Sequence, residues 1–246
     1  MNFRRSSYYW LNTWVMANII QLSTKEFCKR FIDFREDPCG RQYDQMTQAA
    51  RSAVANIAEG NARHDTSKET EMRLIDVARA SIAELAGDYL SYIMQKNELP
   101  WSKNDDTYKN ISDLNLENPN YQDDVVRESA RHILKQKQLF DQWLTADDPI
   151  VVANCLLILC DRLTLMINKQ LDTLLAKFTE EGGFTEALTA ERLQYRRQES
   201  VEQDAPECPV CGKPMIRRMA KKGINSGKEF WSCSGYPDCR GTRKIE

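Results

Sequence analysis

Four cysteines near the C-terminal end, Cys208, Cys211, Cys233 and Cys239, carry the clearest chemistry in this 246-residue chain. Two residues separate the first pair, 21 lie between the pairs, and five separate the second pair. A Cys-Pro-Val-Cys turn lets two thiolates reach one ion, with Gly212 freeing the backbone just after it. Four soft thiolates suit tetrahedral Zn²⁺ in a closed site with no position left for water. The expected group is therefore one structural Zn²⁺. Residues 208–246 are too few to bury a core unaided, so metal binding must supply most of their folding free energy.

The segment around these ligands is basic. From Cys208 to Glu246 nine Lys and Arg face three acids, a net +6, while residues 1–207 carry −8. With the tetrathiolate zinc itself at −2, the folded tail keeps +4. A basic tail on an acidic body points to a polyanion. Met215 to Ala220 and Lys228 to Cys233 read as two short strands joined by a turn over 223–227. Phe230 and Trp231 are consecutive on a strand, so they point to opposite faces. One packs inward, and the other stays outside with Tyr236. Exposed aromatics among Arg and Lys form a stacking platform for single-stranded bases. The candidate contacts are Arg217, Arg218, Lys221, Lys222, Phe230, Trp231, Tyr236, Arg240, Arg243 and Lys244. A protein partner is the other use such a surface serves.

Cys208-Pro-Val-Cys211-Gly212, Phe230-Trp231-Ser-Cys233-Ser, Tyr236-Pro237-Asp-Cys239 and Thr242 together resemble the C-terminal four-cysteine zinc fingers of type IA DNA topoisomerases. The resemblance implies a module that contacts DNA, often single-stranded, with the strand-breaking chemistry elsewhere. The remaining 207 residues are too few and too helical for that catalytic domain, and no enzymatic activity is expected.

The elements that must carry this tail read as helices. Trp10, Ala17, Ile20, Thr24, Phe27, Phe31 and Phe34 mark one apolar face over 10–34; Tyr43, Met46, Ala50, Ala53 and Ile57 mark a second, closing at Gly60 as a terminal glycine. Ile75, Ala78, Ile82, Leu85, Tyr89 and Tyr92 mark a third, opening on Thr66 and Glu69 as a capping box. Pro100 stops it, and the polar residues 101–122 read as a long connecting loop. Helical patterning resumes over 124–144, with Val126, Ile133, Phe140 and Trp143 as core candidates. It resumes again from Ile150 to about Phe178, with a charged helix over 185–197. Cys28, Cys39, Cys155 and Cys160 read as small core residues, and His64 and His132 as surface or capping residues.

The apolar run Ile150 to Cys160 is shorter than the ~20 residues of a membrane span, so it reads as a buried helix. No secretory signal is legible either: Asn12, Thr13 and Asn18 interrupt the apolar stretch from Trp10 to Ile20. The expected location is cytoplasmic, with no membrane association.

Gln48 to Arg63, with its Asn56-Ile-Ala-Glu59-Gly60 run, and the stretch Arg73 to Leu85 resemble a bacterial four-helix-bundle family. That family includes proteins of ribosomal-RNA intervening sequences and accessory proteins of diversity-generating retroelements. The likeness is strongest over residues 10–96, and the later helices resemble its suffix-bearing branch. It implies a homo-oligomeric ring, commonly a pentamer, and in some members contact with RNA or a reverse transcriptase. Ala50-Arg51 stands here where a tandem Arg-Arg is usual, and this bundle is acidic where the RNA-binding relatives are basic. Arg51, Asn56, Glu59, Gly60, Arg63 and Glu84 therefore read as structural, in register or subunit contacts, with all of them but Gly60 in a polar network at a helix junction.

The expected whole is a mostly α protein, an antiparallel up-and-down helical bundle with a helical extension and a small β zinc ribbon. Its segments are 9–97 (three bundle helices), 98–123 (connecting loop), 124–197 (the remaining bundle helix and suffix), 198–207 (linker) and 208–246 (ribbon). The expected function is non-catalytic nucleic-acid binding by the ribbon on an oligomerising bundle. The alternative is a scaffold whose ribbon docks a polymerase or reverse transcriptase.

Overall fold

The computed structural model describes residues 8–33, 35, 37–64, 66–181, 189, 192–193, 205–220 and 227–245. The chain divides into two compact units, Met1–Phe184 and Thr185–Glu246. The first is mostly α and the second holds a small β ribbon, as expected; its antiparallel sheet has three strands.

Among the described residues seven α-helices build the first unit: α1 (Asn12–Phe31), α2 (Arg41–Ala62), α3 (Lys68–Gln95), α4 (Asp106–Ser112), α5 (Val125–Gln138), α6 (Asp141–Leu144) and α7 (Pro149–Glu181). The four long ones close a ring, with α1 against α2, α2 against α3, α3 against α7 and α7 against α1. The apolar stripes read from sequence meet inside this ring: Ile20, Phe27, Met46, Ile57, Ile75, Ile82, Leu85, Leu156, Leu159 and Leu163 are all fully buried. Each such side chain contributes about 1.5–3 kcal/mol on leaving water. Polar links across the ring fix the antiparallel sense. Thr13 at the start of α1 donates to Gln170 late in α7, at 2.8 Å, and Arg79 early in α3 donates to Asn168 at 3.3 Å. The helix that completes the bundle is thus α7, while α5 packs on the outside of α1.

Helix ends differ from expectation by local chemistry. Gly60 lies inside α2 rather than after it; a Cβ there would meet Glu71 O at 3.2 Å and Leu74 Cβ at 3.3 Å, so the glycine permits close approach of α2 and α3. The N-cap of α3 is Ser67, whose Oγ accepts from Thr70 N–H at 3.2 Å, one residue beyond the expected Thr66. The helix expected over 124–144 breaks at Leu139-Phe140, where the buried Phe140 ring docks, and Val126 is exposed rather than core.

The connecting loop contains α4, which its polar composition hides. Ile111 anchors this helix in the core. The Arg162 guanidinium, reaching from α7, donates to the carbonyls of Ile111 and Leu114 and so clamps the loop down. Burial lowers the Arg162 pKa, and its two acceptors are neutral carbonyls. Arg162→Met is expected to lose about 2–4 kcal/mol by chemical denaturation, because two carbonyls lose charge-assisted bonds at once.

Asp161 and Arg162 end the apolar run, but the buried face of α7 continues beyond them through Leu163 and Ile167. By length and composition α7 is long and apolar enough to cross a membrane, yet more than half of its most apolar stretch is buried inside the protein. Its burial follows from its place as the helix that touches both α1 and α3. Cys28, Cys155 and Cys160 are buried as expected, and burial pushes the Cys28 and Cys155 thiols up to about 12; Cys39 is exposed instead. Neither histidine is a simple surface residue. His64 Nδ1 lies 2.7 Å from the buried Glu71 carboxylate, and the half-buried His132 ring stacks edge-on against Tyr121. Among Arg51, Asn56, Glu59, Arg63 and Glu84 no hydrogen bond or ion pair forms; Asn56 bonds Ser52, whose Oγ lies 3.0 Å from Ser81 Oγ across the α2–α3 contact. The expected network is replaced by this serine link.

The second unit contains β1 (Met215–Met219), β2 (Glu229–Cys233) and β3 (Thr242–Lys244), in the order β1-β2-β3. The sequence marks the first two strands; β3 adds a third. The helix expected over 185–197 lies mostly outside the described residues, as does most of the 198–207 linker.

Candidate metal centre and nucleic-acid interface

Two short turns bring the cysteines together. In the first, Gly212 N–H donates to Cys208 O at 2.9 Å and Cys208 N–H donates to Lys213 O at 2.9 Å. Gly212 holds a φ of 71°, a region that favours glycine. In the second, Cys239 N–H donates to Gly235 O at 3.0 Å, while Gly235 N–H points at Cys233 Sγ at 3.3 Å. The backbone N–H of Val210, followed by that of Cys211, favours the Cys208 thiolate and draws its pKa down to about 7.

The four sulfurs lie within 4.8 Å of one another. Cys208 and Cys239 are 3.8 Å apart and Cys211 and Cys233 are 3.4 Å apart. Zn–S bonds of about 2.3 Å in a tetrahedron put sulfurs about 3.8 Å apart, whereas a disulfide needs about 2.05 Å. The set fits one structural Zn²⁺ with all four positions filled by protein.

Gly241 is a site residue that the sequence reading missed. A Cβ at this buried position would run into Cys208 Sγ, so only glycine lets the chain pass against this ligand sulfur. A zinc-held sulfur has nowhere to retreat. Gly241→Ala is therefore expected to weaken zinc binding at least about tenfold, read by competition with a chromophoric chelator. The available signal was its position two residues after the last ligand.

The β1–β2–β3 register decides which aromatic faces inward. Residues directly opposite in an antiparallel pair share a face. Met215 lies opposite Cys233, and Arg217, Trp231 and Arg243 form one row. Trp231 therefore sits on the metal side, packed with Cys208, Met215 and Cys233 at 9% exposure. Arg217 lies over its ring at 5.2 Å. Arg218, Phe230 and Lys244 form the row on the other face. Tyr236, 53% exposed, joins them through the Arg218 guanidinium 5.4 Å from its ring. Phe230 is half-buried, and Arg217, Arg218, Arg240, Arg243 and Lys244 are exposed. Lys221 and Lys222 lie outside the described residues.

Residues 205–246 match the family model of the topoisomerase DNA binding C4 zinc finger. The C-terminal unit carries a zinc finger of that type. No solved structure matches the chain.

Proposed function

We propose that this chain is a non-catalytic nucleic-acid-binding protein. Its zinc ribbon contacts single-stranded DNA or RNA, and its helical bundle joins several copies. The observation that carries the reading is the outer ribbon face, where Arg218, Phe230, Lys244 and Tyr236 gather two rings and two cations beside a zinc finger of a DNA-binding type. Rings stack on bases and cations take phosphates. Trp231, being inside, serves the fold rather than the strand.

A ribbon of charge +4 binds weakly alone. The bundle's resemblance to ring-forming four-helix proteins supports assembly into a homo-oligomer, a pentamer by that likeness. Several tails on one ring gain about 10²–10⁴ in avidity. The same reading makes the protein cytoplasmic and leaves α7 in the bundle rather than in a membrane.

The test is fluorescence anisotropy of labelled single-stranded DNA and RNA with the intact protein across a salt series. Two phosphate contacts per ribbon, one each to Arg218 and Lys244, predict a slope of log K against log salt of about −1.4 for each ribbon engaged. Binding that is flat in salt overturns the phosphate contact and favours the second use of this surface, a dock for a polymerase or reverse transcriptase.

A further inference from the structure

Two separate surfaces of the helical unit are complementary. On α5, Arg127, Arg131 and Lys135 recur every four residues beside a parallel row of exposed Val126, Ala130 and Leu134. Four residues of helix rise about 6 Å, so this is a continuous cationic edge along an aliphatic ridge. Lys135 is held by Glu117 at 2.7 Å; among the described residues neither Arg127 nor Arg131 makes an ion pair within 4 Å, and Arg131 acts only at longer range on Glu128 of its own helix. A basic, aliphatic helix face is out of place on a unit whose net charge is acidic.

The counterpart is a groove between α2 and α3. Asp44 and Glu84 stand on its walls, and Ala49, Ser52 and Ser81 form a floor of small side chains. Neither acid has an ion-pair partner among the described residues. Small floor residues leave room for a helix ridge, and the two carboxylates match cations on its edge.

The ring order α1, α2, α3, α7 puts the α2–α3 groove across the bundle from the α1–α7 side. Helix α5 packs on α1 and on the short turn Tyr8–Trp10, outside that groove. We infer that α5 of one copy docks into the α2–α3 groove of the next, a head-to-tail contact that repeats from copy to copy. One self-complementary patch would make a two-fold dimer; two different patches make a ring or a filament. The inference rests on the proposed homo-oligomer and names its interface. The aliphatic ridge argues for a packed helix over a phosphate chain, which needs the cations alone.

Charge reversal tests it on the full chain by sedimentation velocity. Wild type should associate, more weakly as salt rises. Arg131→Glu and Glu84→Arg, both exposed, should each weaken association on the order of tenfold or more with the helical melting curve unchanged. The double variant Arg131→Glu Glu84→Arg should return to within a few-fold of wild type. An oligomer indifferent to both single reversals, or a double variant as weak as the singles, overturns this interface alone. A wild type that stays monomeric overturns the proposed oligomer with it, whereas single-strand binding is read separately by anisotropy. Singles restored to wild-type association by added labelled oligonucleotide would place nucleic acid on α5 and also overturn the contact.

Discussion

Chelating the zinc is expected to unfold the ribbon and leave the helical unit intact. The ribbon's apolar core is little more than Met215 and Trp231 packed with the ligand sulfurs of Cys208 and Cys233. Zinc binding supplies about 10–16 kcal/mol in structural sites, far more than two buried side chains can. The first unit holds its own core, from Ile20 in α1 to Ile167 in α7. Amide NMR signals of residues 205–245 should collapse while the helical melting temperature at 222 nm stays within a degree or so. Cys233→Ser should act in the same direction, since a hydroxyl replaces one of four soft ligands. A ribbon spectrum unchanged by chelation would contradict the metal's structural part.

Removing the outer-face rings should cost nearly all single-strand affinity while the zinc stays bound. Base–aromatic stacking contributes about 1–3 kcal/mol per base. Phe230→Ala Tyr236→Ala is thus expected to weaken binding at least about 30-fold, with the salt slope unchanged because Arg218 and Lys244 remain. Trp231→Ala is a different experiment. It empties the inner face and should lose about 3–5 kcal/mol of folding free energy, seen as released zinc. A variant with zinc bound, both outer rings gone and affinity intact would remove stacking from the account.

The sequence carried the metal site because its four ligands lie in two short turns whose spacing alone brings sulfurs together. It carried the bundle's apolar faces for a similar reason, since heptad spacing is local. What escaped depends on distant partners. Strand alternation separates Phe230 from Trp231, but which one turns inward is set by Met215 and Cys233 across the β1–β2 pairing. Thr242-Arg-Lys has no apolar alternation, so β3 exists only because Ser232 and its neighbours offer it a free edge. Helix α4 has one fully buried apolar anchor, Ile111, and the arginine that holds it lies about 50 residues on in α7. Gly60 and Gly241 look like ordinary turn glycines until the atoms that a Cβ would strike are in place.

One titration addresses the central claim most directly. Anisotropy of a labelled single strand at low salt is followed with the zinc-loaded intact protein, then after chelation, then after zinc is restored. A zinc-folded ribbon that holds nucleic acid predicts binding, its loss, and its return. Binding that survives chelation, or none with zinc in place, contradicts it.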